Sequence, residues 1–395
     1  MAKLQIINAK DGTAVPFLRG ILTRSLQLAG LSFDDAYGVA SEIRDSLADD
    51  SSIRTDQLTK RVAGRLRKSH GEAAVRRYLA LGDPAAPIIV RDEGGQTLPF
   101  SMETHRRALQ CCGLTEALAA QLSDKLYRHL VMRNRTEISS SYLRRLTYRF
   151  VHREVGEETA RRFLVWRQFR VQGRPLLLLI GGAPGCGKST IATELASRLD
   201  IFRTQSTDML REVMRMMIPE RLLPVLHKSS FDAWQALPDN KPGDELEERV
   251  VRGFRSQSEL LFVSCDAVIQ RAMRERVSLV LEGVHVDATL VKRLSVERDV
   301  VIVPVMLAVL KKEQLRHRIQ GRGGGAPLRR AKRYLQNFDA IWQLQSYLLD
   351  EADHHGVSIV TNDDKEETTR EIMRIVVDHL ATNLEASLDK VFPGQ

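Results

Sequence analysis

The strongest chemical signal in this 395-residue chain is Gly182-Ala183-Pro184-Gly185-Cys186-Gly187-Lys188-Ser189, followed by Thr190. It satisfies G-x-x-x-x-G-K-[ST] in full. A wholly apolar run at 176–180 precedes it, and a stretch of helical character from 188 to 199 follows. That strand–loop–helix setting distinguishes a phosphate-binding P-loop from a chance glycine-rich turn. The glycines let the backbone curl so that successive N–H groups point at a β-phosphate, and the helix N-terminus adds to the attraction. Lys188 can reach β- and γ-phosphates as a point charge, and Ser189 Oγ can ligate Mg²⁺. Cys186 fills a permissive position and is assigned no redox role. Residues 182–190 are therefore the nucleotide-binding candidates, with ATP and Mg²⁺ as the cofactors.

A P-loop alone does not separate kinases from other NTPases, so further parts are needed. Asp208, in Ser206-Thr207-Asp208, follows an extended segment and opens a helical run. An acid there stands at the carboxyl edge of a sheet, where it could accept or orient a hydroxyl proton; a helix N-cap is its structural alternative. Glu282 ends the apolar run 277–281 and can hold the metal shell together with Ser189. His285, three residues on, is read either as a substrate contact or as a hydrogen-bonded structural histidine. The stretch 315–330, with Arg316, Arg318, Arg322, Arg329 and Arg330 around three consecutive glycines, reads as a lid. Arginines closing over a γ-phosphoryl stabilise transition-state charge and exclude water, whereas a solvated basic helix is the plain alternative. The catalytic set is thus Lys188, Asp208, Arg318 and Arg322.

These groups need a scaffold. Apolar runs at 176–180, 277–281, 300–307 and 357–360 read as strands, and the segments between them read as helices, the longest at 244–275 and 328–353. Strands alternating with helices predict an α/β kinase core, a doubly wound parallel sheet, over residues 171–395.

The N-terminal part repeats itself. Pro16-Phe17 and Gly30-Leu31 match Pro99-Phe100 and Gly113-Leu114 at an offset of 83, while Ile53, Leu58 and Arg76-Arg77-Tyr78-Leu79 match Ile138, Leu143 and Arg161-Arg162-Phe163-Leu164 at 85. Each unit, 1–84 and 85–170, reads as a short hairpin turning at an Asp/Gly-rich segment and continuing as amphipathic helices. Matching Lys10 to Arg91 gives the second hairpin an insertion.

Composition narrows the class. With 43% hydrophobic and 28% charged residues the chain is neither disordered nor fibrous, and its length suits two or three domains. No long uncharged apolar window and no signal-peptide pattern occur, and four scattered cysteines suit a reducing cytosol, so a cytoplasmic setting is expected. The net charge of +9 lies in residues 1–85 (+3) and 86–170 (+6); residues 171–395 are balanced. A neutral core makes a long nucleic acid an unsuitable partner for the P-loop segment. Paired helical modules suit a homo-oligomer, and the sequence leaves that open.

The N-terminal units resemble the ATP-cone, a nucleotide-sensing module. The Val15-Pro16-Phe17, Gly30-Leu31-Ser32 and late Arg76-Arg77-Tyr78-Leu79 segments carry the likeness, and the second copy departs from it. A regulatory nucleotide or a plain scaffold is what this resemblance implies. Residues from about 175 to 380 resemble the 2-phosphoglycerate kinase family. The likeness lies in the P-loop, Ser206-Thr207-Asp208, Ser229-Ser230-Phe231, Gly253-Phe254-Arg255-Ser256-Gln257, Glu282-Gly283-Val284-His285, the segment 333–338 and Thr361-Asn362-Asp363. An ATP-cone-like unit ahead of the core also occurs in that family. The resemblance implies phosphorylation of 2-phosphoglycerate to 2,3-bisphosphoglycerate, with Arg211, Lys228 and His285 holding the acceptor's anionic groups. Other acceptors, including inositol phosphates, also belong to related proteins. Two further readings are a nucleotide-responsive regulator binding nucleic acid and a kinase for nucleic-acid ends or nucleotide sugars.

Overall fold

Three-residue strands with one inward side chain open both N-terminal repeats. In the computed structural model, which describes residues 4–8, 12, 14–80, 88–133, 135, 137–238, 245–295, 299–321 and 328–383, β1 (Gln5–Ile7) pairs antiparallel with β2 (Ala14–Pro16) and parallel with β3 (Ser52–Arg54). Ile6 lies opposite Val15 and Ile53, and Ile6 and Ile53 are buried. Helices α1 (Arg19–Leu28), α2 (Phe33–Asp45) and α3 (Thr55–Ala80) complete the repeat. The second repeat has the same order: β4 (Ile89–Arg91), β5 (Thr97–Pro99), α4 (Met102–Gln110), α5 (Glu116–Met132), β6 (Glu137–Ser139) and α6 (Ser140–Glu154). Strand register corrects the sequence match at the hairpins. Ile7 pairs with Ala14 but Arg91 with Thr97, so the second loop is one residue shorter, not longer.

The repeats share one core rather than two. A single apolar cluster joins Leu22, Leu26, Ile43 and Tyr78 of the first to Leu126, Leu130, Ile138 and Phe150 of the second. The chain divides into one compact unit of Met1–Arg106 with Glu116–Ala160, and another of Arg107–Thr115 with Arg161–Gln395. This differs from the sequence boundary at 170. Most of α7 (Glu157–Gln172) goes with the second unit, because Phe163, Leu164, Trp166 and Phe169 are buried and Arg162 Nε donates to Asp378 Oδ1 at 2.9 Å.

In the second unit β7 (Leu176–Gly182) is buried throughout, as a central parallel strand must be. After it come α8 (Lys188–Arg198), β8 (Arg203–Ser206), α9 (Thr207–Met217), the 3-10 turns Pro224–His227 and Ala233–Ala236, and α10 (Leu246–Arg274). Then follow β9 (Leu279–Glu282), α11 (Ala288–Arg293), β10 (Val301–Ala308), α12 (Lys312–Gly321), α13 (Leu328–Gln336), α14 (Phe338–His354), β11 (Ser358–Thr361) and α15 (Lys365–Asn383). The five strands are all parallel in the order β11-β10-β7-β9-β8, the doubly wound sheet expected. The helix expected over 328–353 is two helices, because Asn337 leaves helical geometry at φ −107°, ψ 24° and restarts the chain as α14. Gly253 of α10 allows the second 3-10 turn to lie directly on the helix: a Cβ there would sit 2.1 Å from Trp234 N.

Candidate active site

The sheet register brings the P-loop and the second acid together. β7 and β9 are neighbours with Ile180 opposite Glu282, so the end of β9 lies beside the loop that leaves β7. Ser189 Oγ donates to Glu282 Oε1 at 3.0 Å, and Glu282 is buried. Lys188, also buried, rests its Nζ on Ala183 O at 3.0 Å. Gly187 precedes α8 at φ +92°, and a Cβ there would lie 2.5 Å from Asn362 Nδ2. Only glycine meets both conditions. Pro184, Gly185 and Cys186 form the turn between, while Thr190 is exposed on the first turn of α8.

Asn362 was given no role by sequence, and it is the residue that pins this loop. Its Nδ2 donates to Cys186 O at 2.7 Å, and its Oδ1 accepts from Thr368 Oγ1 at 3.2 Å. Arg318 Nη2 donates to the carbonyl oxygens of Asn362 and, at 3.3 Å, of Asp363. The end of α12 is thereby tied to the segment that fixes the P-loop. Arg322 and the glycines after it lie outside the described residues. Position 362 could have been found from its place: an Asn one residue past the end of a strand, at the carboxyl edge of the sheet where the P-loop also lies.

Asp208 sits on the first turn of α9, whose β8 is paired to β9 with Ser206 opposite Glu282. Ser206 caps α9 by accepting from Asp208 N at 3.2 Å, so the N-cap alternative belongs to Ser206. The Asp208 carboxylate is 67% exposed and lies 3.9 Å from Arg211 Nε.

The three basic candidates part company. Arg211 Nη1 donates to Leu226 O at 3.2 Å and Lys228 O at 2.8 Å, which makes it a clamp on the first 3-10 turn. His285 is buried, stacked on Phe254 with centroids 5.6 Å apart. Gln257 Nε2 donates to Val225 O at 2.6 Å and Lys228 O at 3.1 Å, so its Oε1 must be the acceptor for His285 Nε2–H at 2.9 Å. That leaves Nδ1 to accept from Thr207 Oγ1 at 3.3 Å. Burial pushes the imidazole down to about 3, so His285 is a neutral post rather than an anion ligand. Lys228 is the most exposed of the three, with Glu220 Oε1 3.7 Å from its Nζ.

The donor set fits MgATP. Among the described residues no three His, Cys, Asp or Glu side chains gather as a protein-only metal site would need. Mg²⁺ commonly takes one or two protein oxygens and completes its shell with phosphates and water, and the Ser189–Glu282 pair offers that. A curled loop at a helix N-terminus, on the middle strand of a parallel sheet with an acid on the next strand, defines a P-loop phosphate-binding enzyme core.

Comparison with known proteins agrees. A family model described as the AAA domain matches residues 178–340. The chain is 36% identical over 281 residues to a 2-phosphoglycerate kinase of Pyrococcus horikoshii, covering 71% of this chain and 90% of the relative. It is 34% identical over 298 residues to that of Methanocaldococcus jannaschii, covering 75% and 94%, and 35% identical over 287 residues to that of Thermococcus kodakarensis, covering 72% and 96%. The chain belongs to the 2-phosphoglycerate kinase family.

Proposed function

We propose that the chain transfers the γ-phosphoryl group of ATP to the free hydroxyl of 2-phosphoglycerate, giving 2,3-bisphosphoglycerate and ADP. The Ser189–Glu282 contact beside the P-loop, with Asp208 one strand further along the carboxyl edge, supports the phosphoryl transfer most directly, and the 2-phosphoglycerate kinase relatives support the acceptor. The attacking hydroxyl oxygen forms a bond to the γ-phosphorus as the bond to the β,γ-bridging oxygen breaks. Asp208 orients that hydroxyl and takes up its proton. Lys188 leaves its resting place on Ala183 O to meet the β- and γ-oxygens. Ser189 and Glu282 would hold Mg²⁺, which when bound would supply charge neutralisation of the phosphates. Little of the rate comes from proton transfer, since phosphoryl transfer is governed by positioning and charge.

The test uses MgATP and a panel of 2-phosphoglycerate, 3-phosphoglycerate, glycerate, inositol phosphates and a nucleic-acid 5′-hydroxyl. ADP release should depend on 2-phosphoglycerate and fall by about 10³-fold in Lys188→Ala, the scale for losing a group that meets developing charge. Turnover with a different acceptor alone would overturn the substrate assignment.

The N-terminal repeats are read as a regulatory region for a nucleotide, on the strength of the resemblance and their shared hairpin-and-helix order. Calorimetry finding one ATP per chain, with hyperbolic kinetics, would leave them as scaffold. A homo-oligomer and a cytoplasmic setting complete the reading; the latter rests on four free, buried cysteines. Among the described residues no helix is long and apolar enough to cross a membrane.

A further inference from the structure

An acceptor with a phosphate and a carboxylate needs more than one cation, yet one of the three basic candidates is neutral and another is partly committed to the backbone. Arg211 spends its Nη1 on two carbonyl oxygens, and His285 is neutral and enclosed. Lys228 remains, at the head of the tight turn 229–232 that Asp232 N closes onto Ser229 O at 3.0 Å. At the other end of this turn stands a second cation. Arg333 Nη2 of α13 donates to Asp232 Oδ2 at 2.6 Å. The carboxylate is 5% exposed and the arginine 50%, so the acid is fixed and part of the guanidinium faces solvent. Asp232 Oδ1 is buried and meets no donor among the described residues, so its free acceptor calls for a hydroxyl or water, and an oxyanion has only the guanidinium to bind. Tyr334, next in sequence, packs edge-on against Phe231 at 5.2 Å and holds α13 to the same turn.

We infer that Arg333, oriented by Asp232, binds an oxyanion of the acceptor and shares that task with Lys228. This rests on the small-acceptor kinase reading above. A fork of N–H donors preset by a carboxylate suits a carboxylate or phosphate better than a loose ammonium does. A buried acid beside an exposed arginine is a poor stability device, because desolvating Asp232 offsets most of the attraction. Orientation is the better account of it.

The experiment measures KM for 2-phosphoglycerate and for ATP in wild type, Arg333→Met, Arg333→Lys and Asp232→Asn, with melting temperatures as the folding control. Arg333→Met should raise acceptor KM about tenfold or more with ATP KM within twofold, the size of one lost charge-assisted contact. Arg333→Lys should recover part of the loss, and Asp232→Asn, where Arg333 remains but is no longer held, should fall between. Inhibition constants for glycerate and glycerol 2-phosphate separate the two oxyanions, since the Arg333→Met penalty should vanish for the compound lacking the group it contacts. An unchanged acceptor KM in folded Arg333→Met, or equal rises in both KM values, overturns the inference. If wild type turns over another phosphorylated acceptor instead, the substrate assignment fails, and the same KM comparison on that acceptor still decides Arg333.

Discussion

Asn362 does for the nucleotide side what Gln257 and Arg211 do for the acceptor side: each spends its donors on backbone carbonyls of a loop. Bare carbonyls in a buried loop are costly, and a side-chain amide satisfies them while setting the loop's shape. Asn362→Ala removes the bond to Cys186 O, so the curl around Gly187 relaxes. Steady-state kinetics should then show KM for ATP about tenfold higher, from roughly 1.4 kcal/mol of lost preorganisation, with acceptor KM nearly unchanged. A rise confined to the acceptor would contradict this. His285 acts through shape as well. It is fixed by Thr207, Gln257 and Phe254, and its neutrality is what lets Nδ1 accept from Thr207 while Nε2–H donates to Gln257.

The two N-terminal repeats solve one packing problem in two ways. At matching positions the first repeat buries Leu22, Ala40 and Val62, and the second buries His105, Ser123 and Thr147. Thr147 Oγ1 donates to Leu143 O at 2.8 Å, so it accepts from His105 Nε2–H at 3.0 Å, and Ser123 Oγ–H donates to Nδ1 at 2.7 Å. Burial pushes His105 down to about 4. The side-chain volumes match pairwise, so His105→Leu, Ser123→Ala and Thr147→Val together should cost less than about 1 kcal/mol at pH 7. Thr147→Val alone, leaving a buried N–H unpaired, should cost about 1–3 kcal/mol. The sign of the pH effect follows from the lowered values of both histidines. Below about 6.5 the unfolded chain binds protons that the native state refuses, so stability is full above that pH and falls as pH drops towards 3–4. Each histidine contributes a slope of at most about 1.4 kcal/mol per pH unit. Urea denaturation between pH 7 and 5 should show a shallower loss in the triple variant, from which one of the two is gone.

At the scale of the molecule, α7 is the element whose allegiance matters. By sequence it closes the second repeat, but its apolar side from Phe163 to Phe169 is buried with the kinase core, and Arg162 reaches Asp378. A chain beginning at residue 171 should therefore melt about 10 °C below one beginning at 157. Losing one or two buried aromatic contacts, each about 3–5 kcal/mol, shifts a unit of this size by that much. Equal melting temperatures in a thermal scan would show that α7 does not support the core. The surplus of positive charge lies ahead of residue 171, and the balanced part carries the P-loop, so the charge pattern marks function less sharply than composition suggests.

Whatever is local in the chain was legible without coordinates. The P-loop with its strand and helix depends on residues within a turn or strand of one another, and the parallel sheet and the repeats show as local patterns that recur along the chain. So did the place of Asp208 and Glu282 at strand ends, since strands of a parallel sheet deliver their carboxyl ends to one edge. Only tertiary structure decided which charges are available. Arg211 and Lys228 look alike in sequence, but one nitrogen of the guanidinium is committed to carbonyls that chain folding brings to it. His285 is neutral because burial removes the water that would stabilise its charge. Asp232 and Arg333 stand 101 residues apart, and nothing short of the packing of α13 on the turn could pair them. The shared core of the repeats has the same cause: apolar faces pair with whatever apolar face is nearest in space, and that is set by the whole fold.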